Sequence, residues 1–365
     1  IANPPYVDAS RMKRDQPRIR AVLALMYEST AGNWNLFVPF VERCFKLLNK
    51  HGSFSVIAPH SLAGSDFCAK LHERIIPGLT CIRCFSDADL FSGARVPILI
   101  LSAAIQPQKQ CSFLLQKNPL EKPSKHERVT NKQLALLPSG HLSFPLLASP
   151  SWIALFSNST LDSVGSFRDG STTNEAYKIA ALLEEWNDEH EQIKFINSGL
   201  IDPFTVTWGS KAISFLGYKG HSPALNSSTL RQYRPRQWQR AQRTTVAVQG
   251  LARRIEAVVA GPGMLASKST VVIVPHEDID PYSLCAYLNS PIVSQLYAAC
   301  FGFQTLGNGS LRYGPRQLER LPAPSRHFLH PESEFSALAR ADEPDIELLN
   351  SRSSSALGLS VDTNN

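Results

Sequence analysis

Between residues 35 and 101 the apolar pattern changes period several times, and this alternation restricts the fold more than any other feature of the chain. Leu36, Phe37, Phe40, Val41, Cys44, Phe45 and Leu48 recur at three- and four-residue spacing. That spacing predicts a helix over 35–50, with Glu42, Arg43 and Lys46 facing away. Pro39 falls near its first turn, where a missing N–H costs little, and Gly52 stands where a left-handed C-terminal cap belongs. Short apolar runs predict strands at 53–58, 79–85 and 96–101, with a second helix at 66–76. Strand, helix and strand in this order predict an α/β sheet with crossover helices, whose ligands lie at the carboxyl ends of the strands. Ile1-Ala2 reads as the end of one more strand, because Pro4 and Pro5 cannot donate to a ladder. Asn3-Pro4-Pro5-Tyr6 and Ala58-Pro59-His60 then share one rim, and chemistry is expected there.

With 365 residues, two domains are expected. Residues 1–110 form the first. Residues 111–150, rich in Pro, Lys, Gln and Ser, read as a connector with short strands. From 151 to 325 the chain alternates short apolar pieces with two helical stretches, 174–196 and 281–297, and reads as an α+β domain. Residues 326–365 carry a serine run and few aromatics and read as a flexible, acidic tail.

The longest mostly apolar run, Val96–Ile105, is too short for a bilayer, so no membrane partner is expected. Seven cysteines without a framework spacing fit reduced thiols and a cytoplasmic location. Cys81 and Cys84 form a C-x-x-C inside an apolar run and lack a second ligand pair, so buried inert thiols are expected rather than a metal site. The net charge of +6 is unevenly spread. No Asp or Glu occurs between Asp202 and Glu256, a window holding Lys211, Lys219, Arg231, Arg234, Arg236, Arg240, Arg243, Arg253 and Arg254. A one-sided basic segment points to a polyanion, and Trp208, Tyr233 and Trp238 within it offer stacking or groove-packing surfaces.

Asn-Pro-Pro-Tyr suits one chemical task. The lone pair of an exocyclic amino group on a nucleobase is delocalised into the ring. The Asn3 side-chain oxygen and the Pro4 carbonyl can each accept one amino hydrogen, which draws the nitrogen toward tetrahedral geometry. Tyr6 can stack on a base swung out of the duplex. The alternative is a plain turn with a stacked tyrosine.

Asn3-Pro4-Pro5-Tyr6 resembles the catalytic motif of the N6-adenine DNA methyltransferases of restriction–modification type. The stretches 35–52 and 53–59 are similar to that family's next helix and strand, and Asp89-Leu90-Phe91 leading into 96–101 is similar to its last catalytic motif. Residues 194–204 with Trp208-Gly209, and 288–291 with 321–324, resemble the family's target-recognition domain. The resemblance implies the C-terminal half of a Rossmann-like methyltransferase sheet followed by a recognition domain for double-stranded DNA. It implies that Phe91 packs against the flipped adenine and that Asn3 and Phe40 border the methyl donor, S-adenosyl-L-methionine. The family's Gly-rich cofactor turn is not found. Gly307-Asn308-Gly309-Ser310 lacks the strand–turn–helix context. The chain opens inside a motif without Met, so a C-terminal fragment with little activity of its own is expected. Any nuclease domain or subunit is expected outside this chain. A catalytically silent DNA-binding specificity module, a methyltransferase acting on protein glutamine or RNA, and cytosine N4 as the acceptor are the competing readings.

Overall fold

In a computed structural model, residues 1–87, 90, 96–138, 140–302 and 309–359 are described. The chain divides into two compact units, the first Ile1–Ser157 with Ala298–Gln304, the second Asn158–Tyr297 with Thr305–Asn365.

The first unit begins with helices α1 (Ala9–Asp15), α2 (Pro17–Met26) and α3 (Phe37–Lys46). There follow β1 (Ser53–Pro59), α4 (Ala69–Ile75), β2 (Leu79–Phe85), β3 (Ile98–Ala104), β4 (Gln110–Gln116) and β5 (Lys125–Thr130). They form one sheet in the order β1-β3-β2-β4-β5. Strand β3 is antiparallel to both β1 and β2, so those two run the same way with β3 inserted between them. Strand β4 is parallel to β2, and β5 is antiparallel to β4. Ala2 extends the sheet beyond β1 in parallel, its N–H donating to the Ser55 carbonyl at 2.9 Å and its carbonyl accepting from Ile57 N at 3.0 Å. Val56, Ala58, Ile82, Leu99, Leu101 and Phe113 are fully buried and form much of the core. This is the α/β class that the periodicity predicts.

Three expectations for this unit are corrected. Helix α3 stops at Lys46, and the chain then makes tight turns, with Gly52 N donating to Asn49 O at 2.8 Å. Gly52 is not among the residues with positive φ, so it is no left-handed cap. Glu42 faces inward: its side chain is 0% exposed, pairs with Lys46 Nζ at 2.7 Å and accepts from Ser29 N at 2.9 Å. The expected connector over 111–150 supplies β4 and β5 of the main sheet. Strand β5, Lys-His-Glu-Arg-Val-Thr, is a polar edge held by backbone pairing to β4, so it carries no apolar alternation to be read.

The second unit contains two four-stranded sheets. Its elements in order are β6 (Gly165–Asp169), α5 (Thr173–Ala180), β7 (Glu184–Glu185), β8 (Gln192–Ile196), β9 (Ile213–Phe215), β10 (Tyr218–Gly220) and β11 (Pro223–Asn226). Next come α6 (Ser227–Tyr233), α7 (Pro235–Ala241), β12 (Thr245–Gln249), β13 (Ala257–Ala260), β14 (Met264–Ala266) and β15 (Thr270–Pro275). Helices α8 (Pro281–Asn289), α9 (Pro291–Phe301, of which residues from Ala298 on are counted with the first unit), α10 (Glu334–Arg340) and α11 (Ile346–Ala356) complete the order. One sheet is antiparallel, in the order β13-β12-β15-β6. The other runs β14-β8-β11-β7, with β14 parallel to β8. One core gathers Ile179, Ile193, Phe195, Leu225 and Leu230, and a second gathers Ile196, Ala247, Val258, Ala260 and Val272.

The predicted helix over 174–196 is only half helical. Helix α5 ends at Ala180, and Gln192–Ile196 is the strand β8, where burial and cross-strand pairing to β11 override local preference. The predicted helix over 281–297 breaks at Ser290, which is extended (φ −65°, ψ 135°) because Pro291 disfavours a helical residue before it. The expected flexible tail holds α10 and α11, with Phe335 and Leu349 buried and α10 packed on α8.

Candidate functional site

The rim at the end of β1 is built by register. With Ala2 opposite Val56, residues 3–6 follow directly from that bridge, at the carboxyl end of the Ala2 segment. Four contacts pin the motif. The Tyr6 hydroxyl donates to the Ile57 carbonyl at 3.1 Å. Leu36 N donates to Val7 O at 2.9 Å, and Ala9 N donates to Asn35 Oδ1 at 3.0 Å. Asp8 caps α1 by accepting from Arg11 N at 2.8 Å. Pro4 is buried while Asn3 is exposed, and among the described residues none donates to the Asn3 side chain or the Pro4 carbonyl. The motif therefore keeps two acceptors without a donor among the described residues, two and three positions before a tyrosine that is 38% exposed and held by its own hydroxyl.

His60 closes the adjoining edge. Its N–H donates to Pro97 O at 3.0 Å, and its ring Nε2 lies 2.8 Å from Ile98 O, so Nε2 carries the hydrogen. Burial holds its pKa below the ordinary histidine value, and the ring is neutral at pH 7. It ties β1 to β3. Phe40 lies on α3 with its ring 37% exposed, although its helix neighbours Phe37, Val38, Pro39 and Val41 are buried. Asp89 and Phe91 lie outside the described residues, as do Gly307 and Asn308.

In the second unit the basic window separates into three places. Arg231, Arg234, Arg236, Arg240 and Arg243 fall on or directly after the helix pair α6–α7. Arg236 and Arg240 are four residues apart and so share one face of α7. Lys211 and Lys219 belong to the segment of the β9–β10 hairpin, and Arg253 and Arg254 to the loop before β13. Trp238, expected as a surface for nucleic acid, packs instead against the core of Ile193 and Leu230. Its Nε1 donates to Ser227 Oγ at 3.2 Å, and Arg231 covers its ring at 4.9 Å. Part of the indole is thus spent on the core, and the residue is only half-buried. Trp208 is likewise anchored, donating to Pro223 O at 2.9 Å, whereas Tyr233 remains 60% exposed.

Sequence reading missed the acidic partners from outside the window. Glu175 Oε1 approaches Arg240 at 3.6 Å, and Glu185 accepts from the Tyr218 hydroxyl and from His221 N and Ser222 N, both at 2.9 Å. No local pattern signals contacts across 65 and more than 30 positions.

All seven cysteines are free. Cys81 and Cys84 are three apart on a strand and so point to opposite faces, and burial raises both thiol pKa values. Among the described residues no group of three or more His, Cys, Asp or Glu could hold a metal ion, and no helix is long and apolar enough to cross a membrane.

Residues 1–77 match the family model described as the Eco57I restriction-modification methylase. The sequence has no significant match among curated proteins. Among solved structures it is similar to the type IIL restriction-modification enzyme MmeI in complex with DNA, at 11% identity and a TM-score of 0.54, covering 100% of this chain and 55% of that one. It also aligns with the type IIG restriction endonuclease BpuSI (13% identity, TM-score 0.40, 97% of this chain and 52% of that one). A nuclease-deletion mutant of the type ISP restriction-modification enzyme LlaGI, in complex with a DNA substrate mimic, aligns at 11% identity and a TM-score of 0.41, over 93% of this chain and 34% of that one. The chain thus spans about half, or less, of the length of these solved relatives. The likeness to MmeI shows the fold, a mixed α/β arrangement that aligns over the whole chain.

Proposed function

We propose that the chain is the target-base and recognition part of a DNA methyltransferase of restriction–modification type, acting on the N6 amino group of adenine. The observation that carries this reading is the pair of unspent acceptors at Asn3 and Pro4 beside the anchored ring of Tyr6. The restriction-modification methylase pattern of residues 1–77 and the MmeI-like fold support it.

The residues fit the task as follows. The Tyr6 face receives the base, and its hydroxyl, held by Ile57 O, keeps the ring from swinging away. Asn3 Oδ1 and Pro4 O each accept one amino hydrogen and turn the nitrogen lone pair outward. Both acceptors are neutral, so the amine proton leaves only after transfer. The Asn3 oxygen and the exposed Phe40 ring fit S-adenosyl-L-methionine as a neighbour, and that cofactor, when bound, supplies the methyl group. The basic helix pair α6–α7 supplies cations for phosphates of duplex DNA.

The test is methyl transfer by the polypeptide as encoded, with S-adenosyl-L-methionine and duplex DNA, read by mass spectrometry of the nucleosides. N6-methyladenine is expected, with a loss of roughly 100-fold or more for Asn3→Ala and unchanged duplex affinity. N4-methylcytosine as the sole product overturns the choice of base, and methylation of protein or RNA alone overturns DNA as the substrate.

A further inference from the structure

Arg168 lies outside the basic window that the sequence displays, yet the fold brings it there. It sits on β6 opposite Val272 of β15, at the edge of the antiparallel sheet. Its side chain lines a recess of about 20 Å³ together with Arg240, Thr245, Met264 and Val272. That volume holds one water-sized group, the size of a single anionic oxygen. Arg168 is half-buried, and among the described residues its side chain makes no hydrogen bond or ion pair. Desolvation and the charges of Arg240 and Arg243 both push its pKa down.

Arg168 and Arg240 therefore share one recess, and the charges of Arg243 and of one carboxylate, Glu175, also act on Arg168. Glu175 is already engaged. It accepts from Thr172 N and from Gln237 Nε2, each at 2.8 Å, and approaches Arg240 at 3.6 Å. It fixes Arg240 and ties α7 to α5, while Arg168 keeps an uncompensated charge in a partly dry place. Like charges held together this way are stabilised by an anion that bridges them.

We propose that Arg168, Arg240 and Arg243 form a site for one backbone phosphate of duplex DNA, with a phosphate oxygen in the recess between Arg168 and Arg240 and Arg243 at its rim. This rests on the reading of the second unit as a DNA reader. The site carries no base information; it fixes the register of the helix pair on the duplex.

Fluorescence anisotropy with labelled duplexes of two unrelated sequences, at several salt concentrations, tests it on the full chain. Arg168→Gln keeps the stem and removes the charge, and Arg243→Gln does the same at an exposed position that carries no folding burden. Each is expected to weaken binding roughly tenfold at 0.1 M salt, equally for both sequences, and to lower the slope of log affinity against log salt by about one. Arg168→Lys should keep most of both. If Arg168→Gln and Arg243→Gln bind as wild type while Arg231→Ala/Arg234→Ala/Arg236→Ala weakens binding, the site falls and the DNA reading stands. If wild type binds no duplex at low salt, both fall. If inorganic phosphate raises the melting temperature of wild type but not of Arg168→Gln, and duplex affinity is equal in the two, the site takes free phosphate and the phosphodiester assignment is wrong.

Discussion

At Tyr6 one atom separates two jobs. The ring offers a face, and the hydroxyl holds that face in place through Ile57 O. Tyr6→Phe keeps the face and loses a half-exposed hydrogen bond worth about 1 kcal/mol, so methyl transfer should fall by roughly tenfold or less. Tyr6→Ala removes the face and should cost far more, with little change in folding because the ring is 38% exposed. Equal loss for both variants in a single-turnover assay would mean that the hydroxyl, not the face, is what the reaction needs. Glu42 makes the opposite kind of case, a charge kept inside. Burial alone would raise its pKa, but Lys46 and Ser29 hold it below the ordinary carboxylate value. Glu42→Gln leaves Lys46, which is a third exposed, without its partner, and should cost about 2–3 kcal/mol in urea unfolding. Because the folded pKa is lowered, the stability this carboxylate gives is present above pH 4.5 and is lost as pH falls through the lower folded value. A wild-type-like unfolding midpoint for Glu42→Gln would remove the ion pair from the account of α3.

At the scale of elements, what the sequence discloses depends on how an element is held. Strands β1 and β2 and helix α3 bury one face against a core, so their periodicity shows. Strand β5 is held by backbone bonds at a polar edge, and α10 and α11 each bury a narrow stripe around Phe335 and Leu349 within otherwise polar sequence. None of the three leaves a pattern long enough to read. The site divides in the same way. Asn3–Tyr6 is contiguous and legible, whereas Arg168 and Glu175 reach α7 only through the fold. Close backbone approach is equally silent in sequence. At Gly78, just before β2, an added Cβ would sit 1.8 Å from the Ala104 carbonyl oxygen at the end of β3. Gly78→Ala must therefore push two paired strands apart, and should lower stability by several kcal/mol or prevent folding. A soluble Gly78→Ala variant melting within a few degrees of wild type would show that this contact relaxes at little cost.

For the whole molecule, the buried histidine His72 predicts that the two units part company in acid. His72 Nε2 lies 2.6 Å from Leu62 O, and burial lowers its pKa from 6.5 to about 4. The unfolded chain takes up a proton near pH 6.5 that the folded first unit refuses until about pH 4. The stability given by neutral His72 is thus complete above pH 6.5 and drains away across that interval, by up to about 3 kcal/mol. His60, also lowered by burial and also in the first unit, adds to the same loss. In the second unit the carboxylates with lowered pKa are Glu175 and Glu185, whose contributions persist down to about pH 4.5. Between pH 6.5 and 4.5 the first unit should therefore lose hydrogen-exchange protection while the second keeps it. His72→Gln should flatten the pH dependence of the first unit alone. Simultaneous loss of protection in residues 53–85 and 245–275 would instead mean that the two units unfold as one cooperative body. Acid would then abolish methyl transfer and duplex binding at the same pH, rather than methyl transfer first.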